Sequence, residues 1–140
     1  MVSTWWQFGV APKQMPNQKN LLWLDSIGGL TVGVIVLALC PLLAKWHNLT
    51  VTLIVSMGLA NLLYGCYSFS LARRRQRPLH LIQSLAIANI IWGIVCFGLF
   101  GFWRESVSLL GAIHLVSEGI YVGGLGLLEW RWREALILQN

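Results

Sequence analysis

The stretch Leu21–Ala44 reads LLWLDSIGGLTVGVIVLALCPLLA, and its only charged residue is Asp25. A helix needs about 20 apolar residues to cross a hydrocarbon core of about 30 Å. Three further stretches meet this requirement, at residues 49–72, 79–103 and 106–128. Transmembrane β-strands would require apolar and polar residues in alternation, whereas these apolar runs are continuous. The sequence therefore predicts an all-α membrane protein with four spans.

The overall composition agrees with a membrane protein. Of the 140 residues, 56% are hydrophobic and 11% are charged, whereas soluble domains are about 25% charged. This excludes a soluble globular domain, a disordered chain and a disulfide scaffold. The three cysteines form no CxxC pair, and the sequence contains no HExxH motif, catalytic triad or glycine-rich phosphate loop. We therefore expect no enzymatic activity and no cofactor.

The connections between the predicted spans are only a few residues long, so successive helices must run antiparallel. We predict an antiparallel four-helix transmembrane bundle. Its basic residues are distributed unequally, because Lys45 and Arg104 are alone at one end while eight lie at the other. These eight are Lys13, Lys19, Arg73, Arg74, Arg75, Arg77, Arg131 and Arg133. The positive-inside rule then places both termini in the cytoplasm.

The arginine cluster between the second and third spans is interpreted as a topology determinant. It consists of Arg73, Arg74, Arg75 and Arg77, and such clusters also attract anionic lipid head groups. A nucleic-acid partner is not needed to explain it. We expect a multi-pass protein of the bacterial inner membrane, with the lipid bilayer as its surroundings.

The two terminal segments are expected at the membrane surface. Residues 1–20 contain Pro12 and Pro16, which prevent one long helix, and we predict an N-terminal interfacial segment there. Residues 129–140 are predicted to form a cytoplasmic interfacial tail, leaving the bundle itself at residues 21–128.

Two acidic residues near the cytoplasmic ends are expected to have structural roles. Asp25 lies near the start of the first span, where the helix dipole favours an acid. We expect Asp25 to pair with Arg131 or with the arginine cluster. Glu129 is expected in an interfacial salt-bridge group with Arg131, Arg133 and Glu134.

The second and third spans share a short pattern. Residues 60–65 read ANLLYG and residues 88–93 read ANIIWG. We expect the asparagine of each copy to face the bundle interior. Pairs of glycines four residues apart also occur in the first and fourth spans, at Gly29 and Gly33 and at Gly119 and Gly123. This spacing lets helix backbones approach closely, within the bundle or in a dimer.

Polar residues deep in the spans are the candidate functional residues, because a charged side chain there costs about 2.5–3.5 kcal/mol on insertion scales. Asn61, Asn89 and Glu118 all reach the expected midplane. His114 precedes Glu118 by one helical turn and shares its face. The sequence predicts a polar cluster made of Asn61, Asn89, His114 and Glu118, with Ser56 and Tyr64 beside it.

This cluster has two interpretations. The polar groups can simply form hydrogen bonds between helices and fix their register, and we favour that for the two asparagines. For His114 and Glu118, a ligand-binding or proton-carrying role is equally favoured. A metal or haem site is not expected, because His47 and His80 lie at opposite span ends and leave one histidine at depth.

The size and span count are similar to those of small multidrug-resistance exporters, quinone-linked DoxX-like proteins and sterol-binding EXPERA-type bundles. The resemblance is in architecture alone. Small multidrug-resistance exporters carry their essential glutamate in the first span, where this chain has only Asp25 near the span end. That difference argues against membership.

The leading functional hypothesis is non-enzymatic: a small bundle that binds a hydrophobic ligand, such as a lipid or quinone, in its interior. It includes a role as a homo-oligomer or as an accessory subunit of a membrane complex. The alternative is a proton-coupled small-molecule transporter acting as a parallel dimer. In that hypothesis Glu118 carries the proton, His114 modulates it, and Asn61 and Asn89 orient the ligand.

Overall fold

The computed structural model describes residues 20–137, and these residues form helices without any strand. The helices are α1 (Leu21–Ala38), α2 (Cys40–His47), α3 (Val51–Ala72), α4 (Leu79–Trp103) and α5 (Leu109–Trp132). All except α2 are long and apolar enough to cross a membrane. The predicted N-terminal interfacial segment lies outside the described residues, apart from Asn20.

The first predicted span is interrupted. One span was expected over residues 21–44, with Pro41 as a helix terminator or kink near its outer end. In the structure α1 ends at Ala38 and a separate helix α2 begins at Cys40. Pro41 lies in the first turn of α2, where its missing N–H removes no helical hydrogen bond. Asn48 then ends α2 in the left-handed conformation, with φ 55°, which asparagine tolerates better than most residues.

The fourth predicted span differs at both ends from the helix that the structure shows, α5. Residues 106–128 were expected, whereas α5 runs from Leu109 to Trp132. Its start is fixed by Ser108, whose hydroxyl accepts a hydrogen bond from the Gly111 N–H at 3.1 Å, as an N-cap does. Its later end brings Glu129 inside the helix rather than into a surface tail.

The helices pack mainly as two antiparallel pairs, α1 with α3 and α4 with α5. Glycines allow the two helices of each pair to pack closely. A Cβ atom on Gly65 would lie 2.9 Å from the carbonyl carbon of Gly29, and one on Gly93 would lie 3.0 Å from Cα of Gly123. Only glycine lets two helix backbones come this close. The resulting van der Waals contacts stabilise each pair in lipid, where the hydrophobic effect does not drive helices together. Among the glycine pairs noted in the sequence, Gly29 and Gly123 therefore serve contacts within the chain.

The connections gather at two opposite ends of the molecule. At one end, the α2–α3 connection meets the α4–α5 connection, since Asn48 Nδ2 donates to the Ser106 carbonyl at 2.6 Å. At the other end, the α3–α4 connection meets the C-terminal residues, since the Arg77 N–H donates to the Ile137 carbonyl at 2.8 Å.

Arg77 differs from its neighbours in the arginine cluster. Arg73, Arg74 and Arg75 are exposed, whereas Arg77 is only 3% exposed. Its guanidinium donates to the backbone carbonyls of Leu71, Ala72 and Leu136, and burial lowers its pKa. The expectation that Arg77 contacts lipid head groups was therefore wrong, because its donors satisfy the free carbonyls at the end of α3.

Candidate functional site

Glu118 lies near the middle of α5 and is buried among three helices. Its Oε1 atom accepts hydrogen bonds from Asn61 Nδ2 of α3 at 2.7 Å and from Trp92 Nε1 of α4 at 2.8 Å. The Asn61 amide also donates to the Met57 carbonyl. The predicted contact between Glu118 and an asparagine is confirmed for Asn61. This carboxyl therefore links the α1–α3 pair to the α4–α5 pair.

The second oxygen of Glu118 begins a chain of two histidines. Its Oε2 lies 3.1 Å from Nε2 of His114, one turn earlier on α5. The Nδ1 atom of His114 lies 2.9 Å from Nε2 of His47, which belongs to α2. The chain ends where His47 Nδ1 meets the Leu43 carbonyl at 2.7 Å. Four polar groups thus connect the end of α2 with the middle of α5.

Hydrogen-bonding rules determine how protons are arranged along this chain. A carbonyl oxygen only accepts, so His47 Nδ1 must carry a hydrogen. When His47 is neutral, its Nε2 accepts from His114 Nδ1. His114 Nε2 then lies 3.1 Å from Glu118 Oε2 as the next contact along the chain.

The surroundings of His47 disfavour its charged form. It is 6% exposed, and burial lowers its pKa, with a smaller contribution in the same direction from nearby His114. The hydrogen bond to Leu43 opposes this effect only in part. His47 lies at a helix end, as expected, but the sequence did not indicate that it would contact His114 of α5.

A second polar cluster surrounds Asn89. Its Nδ2 donates to Glu129 Oε2 at 3.0 Å and to Asp25 Oδ1 at 3.3 Å. Asp25 is 2% exposed and Glu129 is fully buried, and neither forms an ion pair among the described residues. The expected pairing of these acids with surface arginines was therefore wrong. Asp25 Oδ2, Glu129 Oε1 and Asn89 Oδ1 have no hydrogen-bond partner within residues 20–137.

The repeated ANLLYG and ANIIWG patterns take corresponding places in the two clusters. The asparagine of α3, Asn61, donates to the acid that also accepts from Trp92 of α4. The asparagine of α4, Asn89, donates to Asp25, and the Tyr64 side chain of α3 lies beside that acid. Each copy of the pattern therefore supplies an asparagine to one cluster and an aromatic residue to the other.

Cavities adjoin both clusters. One of about 250 Å³ lies among α1, α3 and α5 and is bordered by both Asp25 and Glu118. Another of about 170 Å³ lies between α3 and α4 and is bordered by Asn89 and Trp92. Asn61, Tyr64 and Val122 border both. The interior is therefore not completely packed around its polar groups.

The remaining predicted site residues lie apart from these cavities. Ser56 is exposed, and its hydroxyl donates to the Thr52 carbonyl of its own helix at 2.8 Å. Arg73, Arg74 and Arg75 lie at the far end of α3. Of the six residues proposed for the cluster, Asn61, His114, Glu118 and Tyr64 border the larger cavity, while Asn89 belongs to the second cluster.

Sequence reasoning missed His47, Trp92, Asp25 and Glu129 as members of the site. A signal existed for two of them. Trp92 is a tryptophan near mid-span rather than at a span end, and Pro41 indicates a break that can redirect the chain before His47. For Asp25 and Glu129, the expectation that acids near span ends pair with arginines at the membrane surface was wrong.

Comparisons with known proteins identify no relative. No family model matches this chain, no curated protein matches it, and no solved structure matches it. The site must therefore be interpreted from its own chemistry.

Replacing Glu118 separates its acceptor role from its charge. Glu118→Leu leaves the Trp92 indole without an acceptor and removes one acceptor of Asn61, and we expect a loss of about 1–3 kcal/mol in the free energy of unfolding. Glu118→Gln keeps an acceptor oxygen and should lose much less. Unfolding of the detergent-solubilised protein measures both.

Ser56→Leu is the matched control, because Ser56 is an exposed polar residue on a neighbouring helix. Its effect should stay within about 0.5 kcal/mol. Equal losses for the two Leu variants would show that Glu118 holds no helices together.

Proposed function

We propose that this chain is an antiparallel four-helix transmembrane bundle, with both termini in the cytoplasm, that binds a hydrophobic ligand in its membrane-embedded interior. Lipids and quinones are the ligand classes that the sequence suggests. The positive-inside rule supports this orientation, since exposed Arg73, Arg74 and Arg75 lie at one end. We further propose the bacterial inner membrane as its location.

The larger cavity is the observation that carries the binding proposal. Ligand sites are mostly apolar with a few converging polar groups, and this cavity combines Val32 and Val122 with Asn61, Tyr64 and Glu118. A stable bundle has no need for such a space, because voids lose packing contacts. The polar groups along its wall would orient a ligand whose apolar part contacts the valines.

Co-purification tests this proposal. We expect native mass spectrometry of the protein, purified in a mild detergent, to detect a bound small molecule. Val122→Phe should lose it, since Val122 borders both cavities and a larger side chain would fill them. Ile120→Phe is the control, because Ile120 is exposed on the same helix.

The same spectra test association with other chains. Retention of the ligand by Val122→Phe, or its absence from the wild type, would contradict binding in the cavity. A mass corresponding to two copies, or to a second protein, would support the proposed homo-oligomer or accessory-subunit role. A monomer would count against both.

Proton-coupled transport is the second candidate, and the chain Glu118–His114–His47 favours it. These groups form a continuous route for a proton between the middle of α5 and the end of α2. Four helices offer little room for alternating access, so this candidate requires at least a dimer. The unequal distribution of basic residues gives both copies one orientation, and the dimer would be parallel.

Proteoliposomes with an imposed pH gradient test transport. We expect substrate-driven proton movement in the wild type, none in Glu118→Gln, and slowed movement in His47→Gln. Glu105→Gln is the control, because the Glu105 side chain is 89% exposed. Unchanged movement in Glu118→Gln would remove Glu118 from the mechanism.

A further inference from the structure

A buried acceptor atom that borders the larger cavity lacks a hydrogen-bond donor. Asp25 borders it, and the Oδ2 atom of this buried side chain accepts no hydrogen bond from any described residue. The Ser68 and Tyr64 hydroxyls lie beside Asp25, and their geometry directs them to the Leu22 carbonyl at 3.3 Å and to the Leu85 carbonyl at 3.4 Å. A buried acceptor without a donor costs free energy. An occupant of the cavity that supplies a donor would recover this energy.

The donors that border the cavity are already engaged. The Asn61 amide donates to Glu118 and Met57. The Tyr121 hydroxyl donates to the Leu24 carbonyl, and the Ser117 hydroxyl donates to the His114 carbonyl. A quinone or ketone oxygen only accepts hydrogen bonds, and it would find no free donor here. The cavity therefore suits a ligand that donates.

The charged residues that border the cavity also favour a ligand that donates hydrogen bonds. Asp25 and Glu118 border it, and Glu129 shares the Asn89 amide with Asp25. Within the described part of the chain, no lysine or arginine borders the cavity, and His114 is its one basic residue. A buried carboxyl either keeps its proton or gains a positive partner, so an occupant with a positive charge can take the place of the proton, as a neutral one cannot.

We infer that the cavity between Asp25 and Glu118 binds a hydrophobic amine in its protonated, ammonium form. This inference rests on the interior binding proposed above, and it names an amine as the ligand class in place of the lipid or quinone proposed there. The ammonium donates to Asp25 Oδ2, and the rings of Tyr64 and Tyr121 border the same space, where aromatic faces stabilise a desolvated cation.

The volume limits the size of this ligand. A cavity of about 150 Å³ accommodates benzene, so 250 Å³ suits an aromatic or branched amine of about ten non-hydrogen atoms. A phosphate beside the amine, as in a phospholipid head group, would add an anion that needs further donors. The contacts therefore favour a free amine over a lipid.

Ammonium binding competes with protons for the same carboxyls. Below the range in which the acids ionise, protons occupy them and the amine should bind weakly; affinity should rise with pH until the amine itself loses its proton. The chain through His114 and His47 provides a route for a proton released from Glu118. The titratable groups that face this region are Asp25, His47, Tyr64, Cys96, His114, Glu118, Tyr121 and Glu129.

A matched ligand pair tests the inference. Wild-type protein in phosphatidylcholine nanodiscs is titrated calorimetrically with 3-phenylpropylamine and with 3-phenylpropanol, which has the same skeleton but no charge. We expect the amine to bind about tenfold to a hundredfold more tightly, as for a hydrogen bond between charged groups. Its affinity should increase with pH as the carboxyls lose their protons, and the affinity of the alcohol should not.

Replacing each carboxyl in turn shows which one causes the preference for the amine. Asp25→Asn should remove the preference for the amine while leaving alcohol binding intact, which also shows that the variant is folded. Glu118→Gln should weaken the preference independently, and it keeps the inference testable if Asp25→Asn does not fold. The exposed control Glu105→Gln should bind both ligands as the wild type does.

The outcomes distinguish this inference from the function on which it rests. Equal binding of amine and alcohol, or an amine preference that survives in Asp25→Asn and Glu118→Gln, would overturn the ammonium site while the proposed binding function stands. Binding of neither ligand would overturn it as well. Nanodiscs that contain phosphatidylethanolamine identify the source of the ammonium: a lowered apparent affinity for the amine indicates the lipid, and an unchanged one indicates a free amine.

Discussion

A carboxyl in the middle of an apolar helix must find its hydrogen-bond partners inside the protein, because lipid supplies none. Glu118 meets this constraint with partners from three helices: Asn61 of α3, Trp92 of α4 and His114 of its own helix. The closely packed pairs α1–α3 and α4–α5 make few close backbone contacts with each other. Their relative position therefore depends on such side-chain contacts.

The polar interior has properties that a purely structural role does not require. Hydrogen bonds between helices would serve equally well in a fully packed core, yet a cavity of about 250 Å³ separates Asp25 from Glu118. The acids lie on this cavity without basic side chains other than His114 to neutralise them. The small ligand proposed above, together with protons that its binding displaces, would account for both the space and the unpaired acceptors.

The sequence was sufficient for the features that depend on local composition. Continuous apolar runs predict the helices, and the cost of an unpaired acid at depth predicts that Glu118 faces Asn61 or Asn89. It was insufficient where tertiary packing decides. The rotation of α1 depends on the contact of Gly29 with Gly65, and this contact accompanies the burial of Asp25, against the local preference of an acid near a helix start.

Two other errors have similar causes. The apolar run from Leu21 to Ala44 does not reveal that His47, at the end of α2, contacts His114 of α5. The end of α5 was placed at 128 by hydropathy, although the helix continues and buries Glu129 against Asn89. In both cases the position of a polar residue follows from its neighbours on other helices, which one sequence does not reveal.

The coupling between Asn61 and Glu118 tests the central claim most directly. A double-mutant cycle compares the free energies of unfolding of wild type, Asn61→Leu, Glu118→Leu and the double variant in the same detergent. If the hydrogen bond joins the two helix pairs, the double variant should lose less than the sum of the single losses, with a coupling energy of about 1–3 kcal/mol. Losses that add within about 0.5 kcal/mol would show that the two side chains do not interact and would contradict this account.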